Sequence, residues 1–175
     1  SLSAEIAQKL EVKGNNRIST ETIKVYGEIT IGKDYSAFEI NKILKNLYET
    51  DFFEDVKVSL TNGVLNIFVK EYLYINFVDL EGEKAKKVKN TILEKLQLKS
   101  KESFIESKLS QDINLIKKMY ASMGFNFVNV DPKVKKFENN QINLLYIVDK
   151  GKKTHISKIN FAGEKKIKDK RLRDI

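Results

Sequence analysis

Leu10-Glu11-Val12-Lys13-Gly14-Asn15-Asn16-Arg17-Ile18 alternates apolar and polar residues and then runs into a glycine and a polar turn. This stretch decides the fold because the chain writes it twice more. It returns at Phe77-Val78-Asp79-Leu80-Glu81-Gly82-Glu83-Lys84 and at Ile159-Asn160-Phe161-Ala162-Gly163-Glu164-Lys165-Lys166-Ile167. Gly14, Gly82 and Gly163 stand 68 and 81 residues apart. A unit of that length is a small domain, too long for one turn of a solenoid.

The same signals follow the glycine in the first two copies. In the first, Ser19 offers an N-cap and Ile23 and Tyr26 begin a helical spacing. Gly32-Lys33-Asp34 breaks it, and Ser36 with Glu39 fits a capping box that opens a second helix over 36–49. Ile40, Ile43, Leu44 and Leu47 form its apolar stripe. Val56, Val58 and Leu60 then alternate, as do Leu65, Ile67 and Val69, with Asn62-Gly63 as a hairpin turn between them. The second copy predicts a strand over 74–80, helices over 86–96 and 103–122, a C′ glycine at Gly124, and strands over 127–135 and 142–149.

Each unit therefore reads β-α-α-β-β, and the fold class is α+β in tandem modules. The two helices return the chain, so the first and third strands run parallel and the last two form an antiparallel hairpin. A mixed three-stranded sheet with two helices on one face is the economical packing, with the third strand central. Lys57, Ser59, Asn66 and Asn143 suit a wet opposite face. The expected boundaries are 1–72 and 73–151, with 152–175 as the truncated start of a third unit. In that remnant, 156–162 is expected to be extended and 168–175 a helical turn or frayed end.

Composition excludes much chemistry. No cysteine is present, which removes disulfides, thiolate nucleophiles and thiolate zinc sites. One histidine, His155, leaves little for a metal centre or a Ser-His-Asp triad and reads as a solvated linker residue. Asp112 and Glu106 near Lys108 read as surface charges at helical spacing. The glycines lack phosphate-loop spacing. No catalytic, metal or cofactor-binding residue emerges, so no enzyme and no cofactor is expected. No apolar run reaches the roughly 18 residues that span a bilayer. The opening Ser1-Leu2-Ser3 shows no signal peptide.

The formal charge is +8, yet only Arg17, Arg171 and Arg173 are arginines among 32 basic residues. Arginine is the residue that reads bases and phosphates bidentately. Residues 1–72 carry net −2, 73–151 net +4 and 152–175 net +6. The excess is a C-terminal lysine run that reads first as a solvated face, and a basic nucleic-acid module is the weakest reading.

Several stretches resemble the POTRA domains of the BamA family of outer-membrane β-barrel assembly factors. They are Val12–Ile18, Gly32-Lys33-Asp34, Leu47-Tyr48-Glu49-Thr50-Asp51-Phe52-Phe53-Glu54-Asp55-Val56 and Val69-Lys70-Glu71 in the first unit. In the second they are Tyr120-Ala121-Ser122-Met123-Gly124-Phe125 and Lys150-Gly151, and Ile159–Gly163 with Arg171–Ile175 resembles the opening of a further domain. Asp51 stands where the family has a glycine, Tyr72 where it has a proline and Lys150 where it has an acid. The resemblance covers nearly the whole chain and is taken for the first, second and start of the third such domain. It implies a periplasmic position on the outer membrane of a Gram-negative cell, in front of the protein's own C-terminal membrane β-barrel. The implied partners are unfolded outer-membrane proteins and assembly lipoproteins, with no nucleic acid. A related two-partner secretion or translocation pore is the alternative.

The binding mode with physical content is β-augmentation, in which an extended client strand adds to an open sheet edge. The candidate edges are the second strand of each unit: Val56, Lys57, Val58, Ser59 and Leu60 in the first, Val128, Asn129, Val130, Lys133 and Val134 in the second. Lysines 57, 133, 135 and 136 make a guarded edge the rival reading. Lys57 or Ser59 is expected to carry the outward N–H. The aromatic group Tyr48, Phe52 and Phe53 reads as a plug of the helix-to-strand corner.

Overall fold

A computed structural model describes residues 4–154. By compactness the described residues divide into one unit running through Phe77 with Lys99–Ile105 and Lys135–Asn143, and another of Val78–Leu98, Glu106–Val134 and 144–154. His155 and the expectations for 156–162 and 168–175 lie outside the described residues.

The first module runs β1 (Glu5–Ile6), β2 (Lys9–Lys13), α1 (Thr20–Tyr26), β3 (Asp34–Tyr35), α2 (Ala37–Glu49), β4 (Phe53–Thr61) and β5 (Val64–Glu71). Both helices start where their caps predict. The Ser19 hydroxyl accepts the Thr22 N–H at 3.1 Å, and Ser36 accepts that of Glu39 at 3.3 Å. The sheet order is β2-β5-β4, with β2 parallel and β4 antiparallel to the central β5. The alternation of β5 sends Leu65, Ile67 and Val69 against Ile23, Ile43 and Leu47, while Phe68 and Lys70 face water. Each such aliphatic chain contributes roughly 1.5–3 kcal/mol by leaving water. The short β1 and β3 pair with one another as a separate two-stranded ribbon.

The second module runs β6 (Leu73–Glu81), α3 (Lys86–Lys95), β7 (Ser103–Phe104), α4 (Glu106–Ser122), β8 (Asn129–Phe137) and β9 (Gln141–Asp149). Its sheet order is β7-β6-β9-β8, so the third main strand is again internal. Ile92, Ile116, Tyr120, Leu144 and Tyr146 are fully buried. Gly124, at φ +95°, ends α4 as expected. Its N–H bonds to the Ala121 carbonyl and that of Phe125 to the Tyr120 carbonyl, each at 2.9 Å, which is the Schellman arrangement.

Three features differ from the sequence reading. α4 begins at Glu106 rather than 103, because Lys101 turns through φ +68° and Ser103 and Phe104 pair with Tyr74 and Leu73 as a fourth strand. A two-residue strand has no periodicity to betray it. The hairpin strand β8 is displaced two residues, to 129–137. Asp112 is buried rather than a surface charge: its two carboxylate oxygens accept the Gln97 and Leu98 N–H groups, each at 2.9 Å, tying down the chain just past α3. Both oxygens are thus satisfied where an unpaired buried carboxylate would be costly.

Candidate functional site

The sheet orders leave β4 and β8 on the outside of their sheets, and the two edges are built differently. In the β4–β5 hairpin, Thr61 and Val64 face each other across Asn62 (φ +51°) and Gly63 (φ +77°). Two positive φ values in a two-residue loop give a type I′ turn, which closes on a hydrogen-bonded pair. Hydrogen-bonded and non-bonded pairs then alternate up the ladder. Thr61, Ser59 and Lys57 direct their backbone groups inward, and Leu60, Val58 and Val56 direct theirs to the open side. The expectation that Lys57 or Ser59 carries the outward N–H is therefore corrected: turn geometry sets the parity, and it selects the valines and the leucine.

Val56 confirms the parity independently. Its N–H donates to the Tyr48 hydroxyl at 3.0 Å, and that hydroxyl lies 3.3 Å from the Val56 carbonyl and 3.1 Å from Asp55 Oδ1, to either of which it donates. Tyr48 reaches this point from the last turn of α2. The corner that places it turns at Asp51, which itself takes φ +58°. The Thr50 hydroxyl donates to the Leu47 carbonyl at 2.6 Å and accepts the Phe52 N–H at 3.1 Å. The aromatic plug is thus divided in labour. Phe53 is buried, Phe52 packs edge-on between Tyr26 and Phe53, and Tyr48 stays 41% exposed.

Side chains on β4 give the edge two characters. Val58 and Leu60 pack against the core with the helices. Lys57 and Ser59 lie on the opposite face, where they line a depression of about 420 Å³ with Glu11, Lys13, Asn66 and Phe68. Phe68 is 48% exposed there, and the Lys57 ammonium sits 5.9 Å from its ring centroid.

β8 presents a poorer edge. Pro132 lies in its middle, and a proline is tolerated in a ladder where its missing N–H falls on the outer side. Asp131 and Lys133 pair at 3.1 Å, and Lys133, Val134, Lys135, Lys136 and Phe137 are all exposed. Of the residues singled out here, Val130 is buried, while Val128, just before the strand, is half-buried and Asn129 is exposed. Pro132 is the chain's only proline, and its place inside an alternating run was the available sign of a blunted edge.

The repeated signature has a structural basis at the end of each central strand. Gly14 and Gly82 have φ +89° and +96°. A Cβ on them would lie 2.0 Å from the Val69 carbonyl oxygen and 1.8 Å from that of Val148. Only glycine permits that crossing. Past it, the buried Glu71 carboxylate accepts the N–H groups of Asn16, Arg17 at 2.9 Å and Ile18 at 3.0 Å. In the second module Lys150 occupies the place of Glu71, and its ammonium lies 3.4 Å from Glu83, which accepts the Ala85 N–H at 2.9 Å and the Tyr120 hydroxyl at 2.8 Å. Burial pushes the Glu83 carboxyl up, but its hydrogen bonds from Ala85, Tyr120 and Lys150 outweigh this and hold it below its ordinary value. Burial foremost, and then Glu83, pushes the Tyr120 hydroxyl up.

No cluster of three His, Cys, Asp or Glu side chains suited to a metal ion is found among the described residues. No described helix is long and apolar enough to cross a membrane, which says nothing of β-barrels.

The POTRA family, described as a surface antigen variable number repeat, matches residues 73–151. The outer membrane protein assembly factor BamA of Neisseria meningitidis serogroup B is 30% identical over 169 residues, covering 94% of this chain and 21% of that protein. The factor of the same name from Neorickettsia risticii is 21% identical over 173 residues, covering 98% and 23%. Among solved structures, POTRA1-2 of the periplasmic domain of Omp85 from Anabaena overlays with a TM-score of 0.43 at 13% identity, covering 84% of this chain and 97% of that one. The chain spans about a fifth of the length of these curated relatives. Residues 73–151 match the POTRA family, and the chain is built of tandem POTRA-like modules of mixed sheet and helices that are similar to part of an outer membrane protein assembly factor.

Proposed function

We propose that this chain is the periplasmic region of an outer-membrane β-barrel assembly factor, organised as modules 1–72 and 73–151 with a further module opening at 152. In this reading it has no catalytic step. It holds unfolded outer-membrane proteins by β-augmentation and docks assembly lipoproteins, in front of a C-terminal barrel on the periplasmic face of the outer membrane. The family likeness supports the setting, since 94% of the chain aligns with an outer membrane protein assembly factor. The observation that carries the binding mode is the β4 edge, where Val58 and Leu60 turn their backbone groups outward and no described strand pairs with them. Backbone pairing is nearly blind to sequence, which suits a protein that handles many barrel precursors.

The proposal places the client first on Val56, Lys57, Val58, Ser59 and Leu60. The second-module set of Val128, Asn129, Val130, Lys133 and Val134 ranks behind it, because Pro132 interrupts its outer ladder. A photo-crosslinking residue at Lys57 or Ser59 in the 175-residue chain, mixed with a urea-diluted outer-membrane protein, tests this. Adducts are expected there, fewer at Lys133, and fewest at Lys24 on α1. Val58→Pro removes an outward donor and should abolish the Lys57 adduct while circular dichroism stays unchanged. Equal adducts at Lys57 and Lys24, or full adducts in a folded Val58→Pro chain, would overturn the edge as the site.

A further inference from the structure

The β4 edge stops short of its strand. Val56, Val58 and Leu60 share the outward parity, yet only the last two have open backbone groups. The Tyr48 hydroxyl takes the Val56 N–H at 3.0 Å and lies 3.3 Å from the Val56 carbonyl, so one side-chain atom stands where an added strand would place a carbonyl and an amide. Asp55 Oδ1, 3.1 Å from the same oxygen, holds it there from the other side. We propose that Tyr48 is a strand stop: it ends any added strand at Val58 and thereby fixes the register of the bound segment. This rests on the β4 edge being the client site, and it adds what that reading leaves open, namely the length and chemistry of the segment taken.

Both follow from the geometry of β4. A strand beginning opposite Val58 pairs with Val58 and Leu60 and then runs past the Asn62-Gly63 turn, so the ladder is two outward residues long. Its side chains alternate between two surroundings. Those on one side meet Val58 and Leu60 beside the core, and those on the other meet Lys57 and Ser59 at the rim of the depression beside Phe68. The segment is therefore amphipathic at period two, apolar on one face and acidic or hydroxylated on the other. The stop keeps that alternation in phase, because a slip of one residue would turn apolar chains to water and acids to the core side.

Amide exchange measures the stop directly. The probe is a ten-residue peptide alternating valine with glutamate and threonine, added to the 175-residue chain. In the wild type, the peptide should slow exchange at Val58 and Leu60 and leave Val56 unchanged, since Tyr48 already protects it. In Tyr48→Ala, Val56 should exchange fast in the free chain and become protected by the peptide, with binding roughly fivefold tighter from the added pair. Tyr48→Phe keeps the ring and frees the same backbone groups, so it carries the test if the alanine variant loses its circular dichroism. Peptide binding by a variant alone would overturn the register-setting role, because Tyr48 would then close the edge of the natural chain altogether. Unchanged protection and affinity in both variants would overturn the stop while leaving the edge as the site. Protection away from β4, or no binding by any of the three chains, would overturn the edge reading itself and the stop with it.

Discussion

Gly14 and Gly82 leave their strands through nearly the same backbone turn and pass the carbonyls of Val69 and Val148, yet two residues farther on the first module presents Glu71 and the second Lys150. The problem at both places is the same. A loop that has just crossed a central strand turns its N–H groups into the protein, and each needs an acceptor. In the first module the strand end supplies it, and Glu71 reaches back to three consecutive N–H groups. In the second the loop supplies its own acceptor, Glu83, and the strand end supplies the counter-charge. The carboxylate has moved from strand to loop while the crossing has not changed. The backbone passage is thus the fixed part of the repeat, and the charge that stabilises it is exchangeable between the two chain segments that meet there.

The crossing itself should be the most sensitive point. Gly14→Ala and Gly82→Ala each force a Cβ into a carbonyl oxygen at a φ that disfavours every other residue. Positive φ alone costs about 1–2 kcal/mol, and backbone overlap adds a similar sum, so roughly 3 kcal/mol or more is expected from each. Urea unfolding should show both losses to be alike. A Gly82→Ala chain as stable as the wild type would break the equivalence of the two crossings.

The carboxylate should come next and should separate the modules. Glu71→Gln replaces one acceptor oxygen by an amide donor facing N–H groups already in place, which is expected to cost about 2–4 kcal/mol. Lys150→Met removes the counter-charge of a carboxylate that is only 4% exposed but keeps its bonds from Ala85 and Tyr120, and about 1 kcal/mol is expected. Comparable losses from the two substitutions would show that strand-end residue and loop residue are not exchangeable in the way the geometry indicates.

The sequence carried the repeat far better than it carried this exchange. Ser19, Ser36, Asn62-Gly63 and Gly124 act on neighbours within a few residues, so a linear reading finds them and the structure places each as expected. Glu71 acts on residues more than fifty positions away, and nothing local separates it from a surface acid. Asp112 is the same case. It sits among polar residues on a helix, and only the folded chain brings the backbone of Gln97 and Leu98 to it. The edge was legible as an element and not as a parity. The alternation of Val56, Val58 and Leu60 names the core-facing side, whereas the direction of their N–H groups depends on which pair closes the turn. Tyr48 was legible as part of the aromatic corner but not for its hydroxyl, whose place depends on where α2 ends.

The smallest expected effect is also the one that reads the exchanged carboxylate most directly. Glu83 is held below its ordinary value of 4.5, because the bonds from Ala85, Tyr120 and Lys150 favour its charged form more than burial disfavours it. A carboxyl whose folded value is depressed stabilises the fold at every pH above its unfolded value and loses that contribution as pH falls through the folded one. The contribution of Glu83 should therefore be constant from neutrality down to about pH 4.5 and be lost only below it. The Ala85 amide donates to this carboxylate at 2.9 Å, so its proton shift should follow the titration with a midpoint below 4.5. Glu83→Gln should abolish that acid-induced shift and leave the amide bonded to the remaining side-chain oxygen. An Ala85 amide that titrates above 4.5 would mean that burial, not the hydrogen bonds, decides the charge of Glu83. The loop would then hold a group poised to lose its charge rather than the counterpart of the Glu71 carboxylate.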